Sequence, residues 1–347
     1  MFKSRRRKDS AVVGLELDPG YIAAAAVKVN GGLTVERGAV VALRAGIVRD
    51  GEVVDPPGLA DELRKVWEEH DLPRQVRVGV ANQRIVVRSI DLPPLEDHGA
   101  LDAAVRAEAP DNIPMPIDEA VLDWQPLGIV DTPAGPRARV VIVAVRREMI
   151  DRLVGALHEA GLEPHGVDLS AFAMVRALRT PAAGGAVLYV NFAGLTNVAV
   201  ANADGCLFTR AATGGLDASV HALAERRGLT LEHARQWMLH VGLVTPLEEL
   251  QGDADLLAAT RTALEESVHH LADTVRNSLN FYRTQPGADT VERGVLTGPG
   301  VAIPGLAERL SEQLKLPMEP ALVAAVDEEA DRGRLTVAAG LAVEDAL

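Results

Sequence analysis

The residues whose types could do chemistry sit at turns. In "AVLYVNFAGLTNVAVANADGCLFTRAATGG", residues 186–215, apolar strands alternate with tight turns and the run closes on Gly214-Gly215. Asp204-Gly205 between two apolar runs is the sequence sign of a hairpin. Glycines at such turns let backbone N–H groups close on an anion such as phosphate. They equally serve close strand–helix turns with no ligand. Elsewhere the residue types occur without the spacing. His269 and His270 are adjacent and point apart on a helix. No His/Cys set has zinc spacing. Ser170 and Ser219 lack a motif that would make either a nucleophile. Asp168 reads as a helix cap before Ala171. Glu328, Glu329 and Asp331 read as a solvated charge run.

The elements that position these turns repeat. "AVVGLELDPGYIAAAAVKVNGGLTVERGAVVAL", residues 11–43, is also strand, turn, strand, turn, strand. Glu16 and Asn191 end equivalent first strands. Asp18-Pro19-Gly20 matches Ala193-Gly194-Leu195, and Asn30-Gly31-Gly32 matches Asp204-Gly205. The pattern is that of an internal duplication. Each meander is followed by helices: Leu59, Leu63, Val66 and Trp67 form one apolar face, and Leu216, Val220, Leu223 and Ala224 another. The longest helix is expected over residues 260–282, through Leu264, Val268, Leu271, Val275, Leu279 and Tyr282. Between the meanders a block of strands and helices, residues 75–162, reads as an inserted α+β subdomain. "TPAAGG", residues 180–185, reads as the hinge between the major halves.

Composition narrows the class. Aromatics are 3% against 48% hydrophobic residues, so the core must be built from Ala, Val and Leu, as in layered sheet-and-helix folds. The net charge of -14 argues against a general nucleic-acid binder. The single cysteine, Cys206, excludes an intramolecular disulfide and fits a reducing cytoplasm. No apolar run approaches the ~20 residues of a membrane span. "MFKSRRRKD" lacks the apolar stretch of a signal peptide. Its Lys3, Arg5, Arg6, Arg7 and Lys8 are read as a solvated tail in preference to a lipid contact.

The order and spacing of these segments resemble the PilM family of type IV pilus assembly proteins. "GLELDPGYIAAAAVKV" stands where that family has its first phosphate motif and "YVNFAGLTNVAVANADGCLFTRAATGG" where it has its second. "SLNFYRTQPGADTVERGVLTGPGVAIPGLAERLSEQLKLPME" matches its adenosine region, "VDLSAFAMVRAL" the return to the first half, and "LTVAAGLAVED" its closing helix. The resemblance implies a bilobed actin-like α/β fold, ribonuclease H-like and duplicated. Residues 1–74 and 163–180 would form the first half, 75–162 the inserted subdomain and 186–347 the second half. A helical insertion would span about 216–285, and the final helix could pack back on the first half. It also implies a cytoplasmic, membrane-peripheral, ATP-binding platform. Its partners would be the short cytoplasmic N-terminal tail of PilN, a bitopic inner-membrane protein, and other pilus assembly proteins.

The chain departs from the family where nucleotide chemistry would occur. In actin-like folds a carboxylate ends the first strand of each half and holds Mg²⁺ through water or orients the attacking water. Here the residues are Glu16 and Asn191, and the second is a neutral amide. Asp18 puts a negative charge, and Pro19 a missing N–H, where phosphate would sit. Gly194 and Thr196 remain candidate donors, and Gly214 and Gly215 keep the second half's exit. Gly298 and Gly300 flank Pro299 in "LTGPG". The expectation is a degenerate cleft with no confident catalytic residue, no metal site and no bound cofactor, weak Mg-ATP binding being the alternative. The function expected is a scaffold, with an active actin-like ATPase or an FtsA-like division protein as alternatives. FtsA-like proteins usually carry a C-terminal amphipathic membrane helix, which "LTVAAGLAVEDAL" does not resemble. The partner groove is expected between the inserted subdomain and the first half, along "IVVRSIDLP": Val86, Arg88, Ile90 and Leu92 alternate on one side, and Trp124 on a neighbouring strand would be an aromatic anchor.

Overall fold

The computed structural model describes residues 12–95, 97–133, 135–179, 185–285 and 287–344. The basic N-terminal run and the hinge, apart from Gly185, lie outside them. The chain divides into two units. The first comprises the residues up to Val80, Val154–Arg179 and those from Leu322 on; the second comprises Ala81–Leu153 and Thr180–Ala321.

The first unit opens on a meander of β1 (Val13–Asp18), β2 (Tyr21–Val29) and β3 (Leu33–Ala42). Four consecutive alanines of β2, Ala23 to Ala26, are buried, so both faces of the strand are thin enough for close helix packing. A short hairpin, β4 (Val48–Arg49) and β5 (Glu52–Val53), leads to α1 (Pro56–His70). Asp55 caps α1 by accepting from the Gly58 N–H, and prolines fill the first turn, where no N–H is needed. β6 (Gln75–Val80) then pairs in parallel with β1.

The chain now leaves for the second unit. β7 (Val86–Leu92), α2 (His98–Asn112), β8 (Ala120–Thr132) and β9 (Gly135–Arg146) build a three-stranded antiparallel sheet in the order β7-β9-β8. α2 covers one of its faces, where Leu101 and Val105 pack with Ile90, Leu92, Val140 and Ile142. α3 (Arg147–Glu159) carries the chain back to β10 (Glu163–Leu169) and α4 (Ser170–Leu178). The insertion is therefore shorter than expected. β6 and the second half of α3 belong to the first unit, because β6 is the strand that bridges β1 and β10. Asp168 is not the cap of α4: its carboxylate accepts from the Leu169 N–H and pairs with Arg176.

The second meander is β11 (Ala186–Phe192), β12 (Thr196–Ala201) and β13 (Cys206–Ala212). α5 (Leu216–Arg227), α6 (Leu231–Val241) and the long α7 (Ala254–Arg283) follow, then β14 (Val291–Thr297), α8 (Leu306–Leu314) and β15 (Met318–Pro320). The core lies between Leu188, Val190 and Phe192 of β11 and the apolar faces of α5, α7 and α8. Finally β16 (Ala324–Ala325) pairs with β3, and α9 (Arg332–Leu341) packs on α4 and on β1, β2 and β3.

The two sheets share one topology. The first is ordered β10-β6-β1-β2-β3-β16 and the second β13-β12-β11-β14-β15. In each, the first strand of an antiparallel meander pairs in parallel with the fourth, and the fourth with the fifth. This is the duplicated actin-like arrangement.

Candidate functional site

The first turn builds its own obstacles. Gly14 and Glu16 alternate on the face of β1 that α9 covers: a Cβ on Gly14 would collide with the Ala338 carbonyl. Glu16 is 4% exposed. The Tyr21 hydroxyl donates to its Oε2 at 3.4 Å, and Arg334 of α9 lies 5.3 Å from the centre of the Tyr21 ring. Burial, and then the charge of Asp18, push the Glu16 carboxyl well above the usual carboxylate range, against the hydrogen bond from Tyr21 and the charge of Arg334. An acid that resists ionisation is a poor ligand for a hard cation. At the turn itself the Gly20 N–H donates to Asp18 Oδ1 at 3.0 Å. The amide that would grip a phosphate already has a carboxylate on it, and Pro19 offers none.

In the second unit Asn191 lies on the opposite face of β11 from Leu188, Val190 and Phe192, beside Thr297 in the parallel register with β14. The α5 amide nearest the turn is taken: the Leu216 N–H donates to the Ala193 carbonyl at 2.7 Å. Gly194 sits inside a turn closed by Ala193 N–H on the Leu195 carbonyl, and Thr196 is buried within the β12 ladder. The glycines answer to packing. A Cβ on Gly215 would strike the Ala193 carbonyl, and one on Gly300 would lie 2.6 Å from the Phe192 ring. A Cβ on Gly214 would be 2.7 Å from His270 Nε2. Gly298, at φ +89°, has Asn191 Oδ1 where a side chain would go. Two atoms remain open: Asn191 Nδ2 and Thr297 Oγ1 are buried with no hydrogen-bond partner among the described residues. At the first turn the Gly20 amide is therefore occupied and Pro19 has none, while these two orphan groups lie by the second turn.

The expected groove residues separate. Ile90 and Leu92 are buried under α2, and Val86 and Trp124 pack against the same core. Trp124 is held there by its indole N–H, which donates to Asp102 at 2.8 Å, and by His98, whose ring centre is 4.8 Å away. These four fasten α2 to the sheet, Ile90 and Leu92 buried, Val86 and Trp124 half-buried. Arg88 alone of the five is exposed. The other side of β7, with Val87, Ser89 and Asp91, lines a cavity of about 260 Å³ that also takes in Leu127, Arg139, Phe208 and Phe281. Period-two alternation showed that Ile90 and Leu92 share a face. It did not say which face goes inside, because both carry valines.

The family model described as type IV pilus assembly protein PilM matches residues 21–344. A solved "PilM-PilN type IV pilus biogenesis complex" is similar to the chain with a TM-score of 0.76 and 26% identity, covering 96% of this chain and 97% of that one. The ethanolamine utilization protein EutJ from Carboxydothermus hydrogenoformans is similar in fold, with a TM-score of 0.53 and 16% identity over 95% of this chain and 88% of that one. A diol dehydratase-reactivating factor in nucleotide-free form reaches a TM-score of 0.50 at 10% identity, over 95% and 98% of the two chains. The chain belongs to the PilM family.

Proposed function

We propose, from membership of the PilM family, that this chain is a scaffold of a type IV pilus assembly machine that docks the N-terminal tail of a PilN-like membrane protein. The likeness to the PilM-PilN complex over nearly the whole of both chains supports this reading. The platform would be cytoplasmic and would reach the membrane through that partner. Among the described residues no helix is long and apolar enough to cross a membrane.

The second part of the proposal is that the nucleotide cleft is degenerate. One observation carries it: the turn amides that would hold phosphate are bonded to the chain itself, Gly20 to Asp18 and Leu216 to Ala193. A competing anion would have to break those bonds and approach the Asp18 carboxylate. The orphan Asn191 Nδ2 and Thr297 Oγ1 favour a second reading, a retained nucleotide contact in an active ATPase with Glu16 as its carboxylate. Titration calorimetry with Mg-ATP separates the two. We expect no binding in the micromolar range; a tight, magnesium-dependent isotherm overturns the degenerate cleft and leaves the scaffold standing. The scaffold is tested by mixing the protein with a synthetic PilN-like N-terminal tail. With a chain of -14 net charge, a tail bearing Lys or Arg should bind and weaken as salt rises. Absence of binding at low salt would sink that part.

A further inference from the structure

β7 and β13 are each the outermost strand of their sheet. Among the described residues, no backbone hydrogen bond from another segment reaches their outer edges. Such an edge is a template for an added strand. The two strands are tied at one end, where Gln83 Nε2 donates to Thr213 Oγ1 at 3.2 Å. β7 begins just after Gln83 and β13 ends just before Thr213, so they run in opposite directions from that tie. The cavity of about 260 Å³ opens along them, between the outer face of the three-stranded sheet and β13 with the end of α7.

Its walls have two characters. Leu127, Val141, Leu207, Phe208 and Phe281 supply apolar surface, and Phe281 is 48% exposed. With Leu127, Val141, Leu207 and Phe208 it makes one contiguous apolar wall, the kind of surface a partner's aliphatic side chains can cover. The polar part is basic. Arg88 lines the cavity and makes no ion pair among the described residues. Arg139 forms a bidentate bond with Asp91, at 2.7 and 2.9 Å. Two arginines against one aspartate line the cavity of a chain of -14 net charge.

We propose that this cavity is a docking site for an extended acidic segment of a partner protein. The segment adds to the free edge of β13, with aliphatic side chains directed at Leu127 and Phe281 and carboxylates at Arg88 and Arg139. This site lies wholly within the second unit and does not depend on how the PilN-like tail binds.

The probe is a short peptide of alternating leucine and aspartate, with its leucine–lysine counterpart as control, followed by fluorescence anisotropy at low salt. The acidic peptide is expected to bind about tenfold or more tightly than the basic one. Arg88→Glu should abolish or reverse the preference, and Phe281→Ser should weaken binding of the acidic peptide; both side chains are exposed, so both variants should fold. Hydrogen exchange should show new protection in β13 on saturation with the acidic peptide. Equal binding of the two peptides, binding indifferent to both substitutions, or an unprotected β13 each overturns the proposal.

Discussion

Glu16 is a buried carboxylate whose ionisation the fold opposes. Unfolded, its carboxyl has the ordinary value of 4.5; folded, burial and the neighbouring Asp18 hold it well above that. Between the two values the folded chain binds a proton that the unfolded chain has released. Stability therefore falls as pH rises from about 4.5 through the folded value, and the deficit is complete above it. Glu16→Gln keeps the shape and removes the ionisation. The variant should melt higher than the natural protein at pH 7.5, with the gap shrinking toward pH 5. Paired thermal melts across that range check it; a variant that melts lower at pH 7.5 would show that Arg334 and Tyr21 outweigh burial. The importance of position 16 was visible in the sequence, as the end of a duplicated strand. The upward shift of its carboxyl was not, since α9, which covers that face of β1, lies more than 300 residues away along the chain.

At the scale of elements, α9 lies on the first sheet with almost no space to spare. Gly14 of β1 meets the Ala338 carbonyl and Gly340 of α9 meets the Ala173 carbonyl, each where a Cβ would stand. Both neighbours are backbone and cannot turn aside. Gly14→Ala should cost about 2–3 kcal/mol by overpacking, read as a lower urea midpoint at unchanged slope. A loss below ~0.5 kcal/mol would mean that α9 can slide. Turns, strand alternation and the helix faces were legible from local pattern: Asp204-Gly205 does turn β12 into β13, and Leu264 to Tyr282 do form the buried stripe of α7. Elements whose place depends on distant partners were less so. β6 was assigned to the insertion because "VRVGVANQRIVV" reads as two strands of one small sheet. Only its pairing with β1 and β10 shows that Val80 is where the first sheet ends.

At the scale of the whole molecule, the first unit is assembled from three separate stretches of chain, the last beginning at Leu322. Its sheet cannot be completed early. β1 and β2 are packed by α9, more than 290 residues further along the chain, so the loop closed when that contact forms is very long. Such contacts are entropically costly and late. The second unit ends at Ala321 and needs none of the final residues for its own core, which runs from Ala186 to Met318. Ending the chain after residue 321 should therefore act unequally. Buried Leu335, Val337, Ala338, Ala339 and Leu341 would be lost from the first sheet, exposing the alanine face of β2 and leaving Glu16 in water. Hydrogen exchange on the truncated protein should show β1 and β2 exchanging freely while β11, β12 and α7 keep their protection. Equal loss of protection in both units would mean that the two fold as one cooperative body, and full protection of β1 and β2 would mean that α9 is dispensable to the sheet it covers.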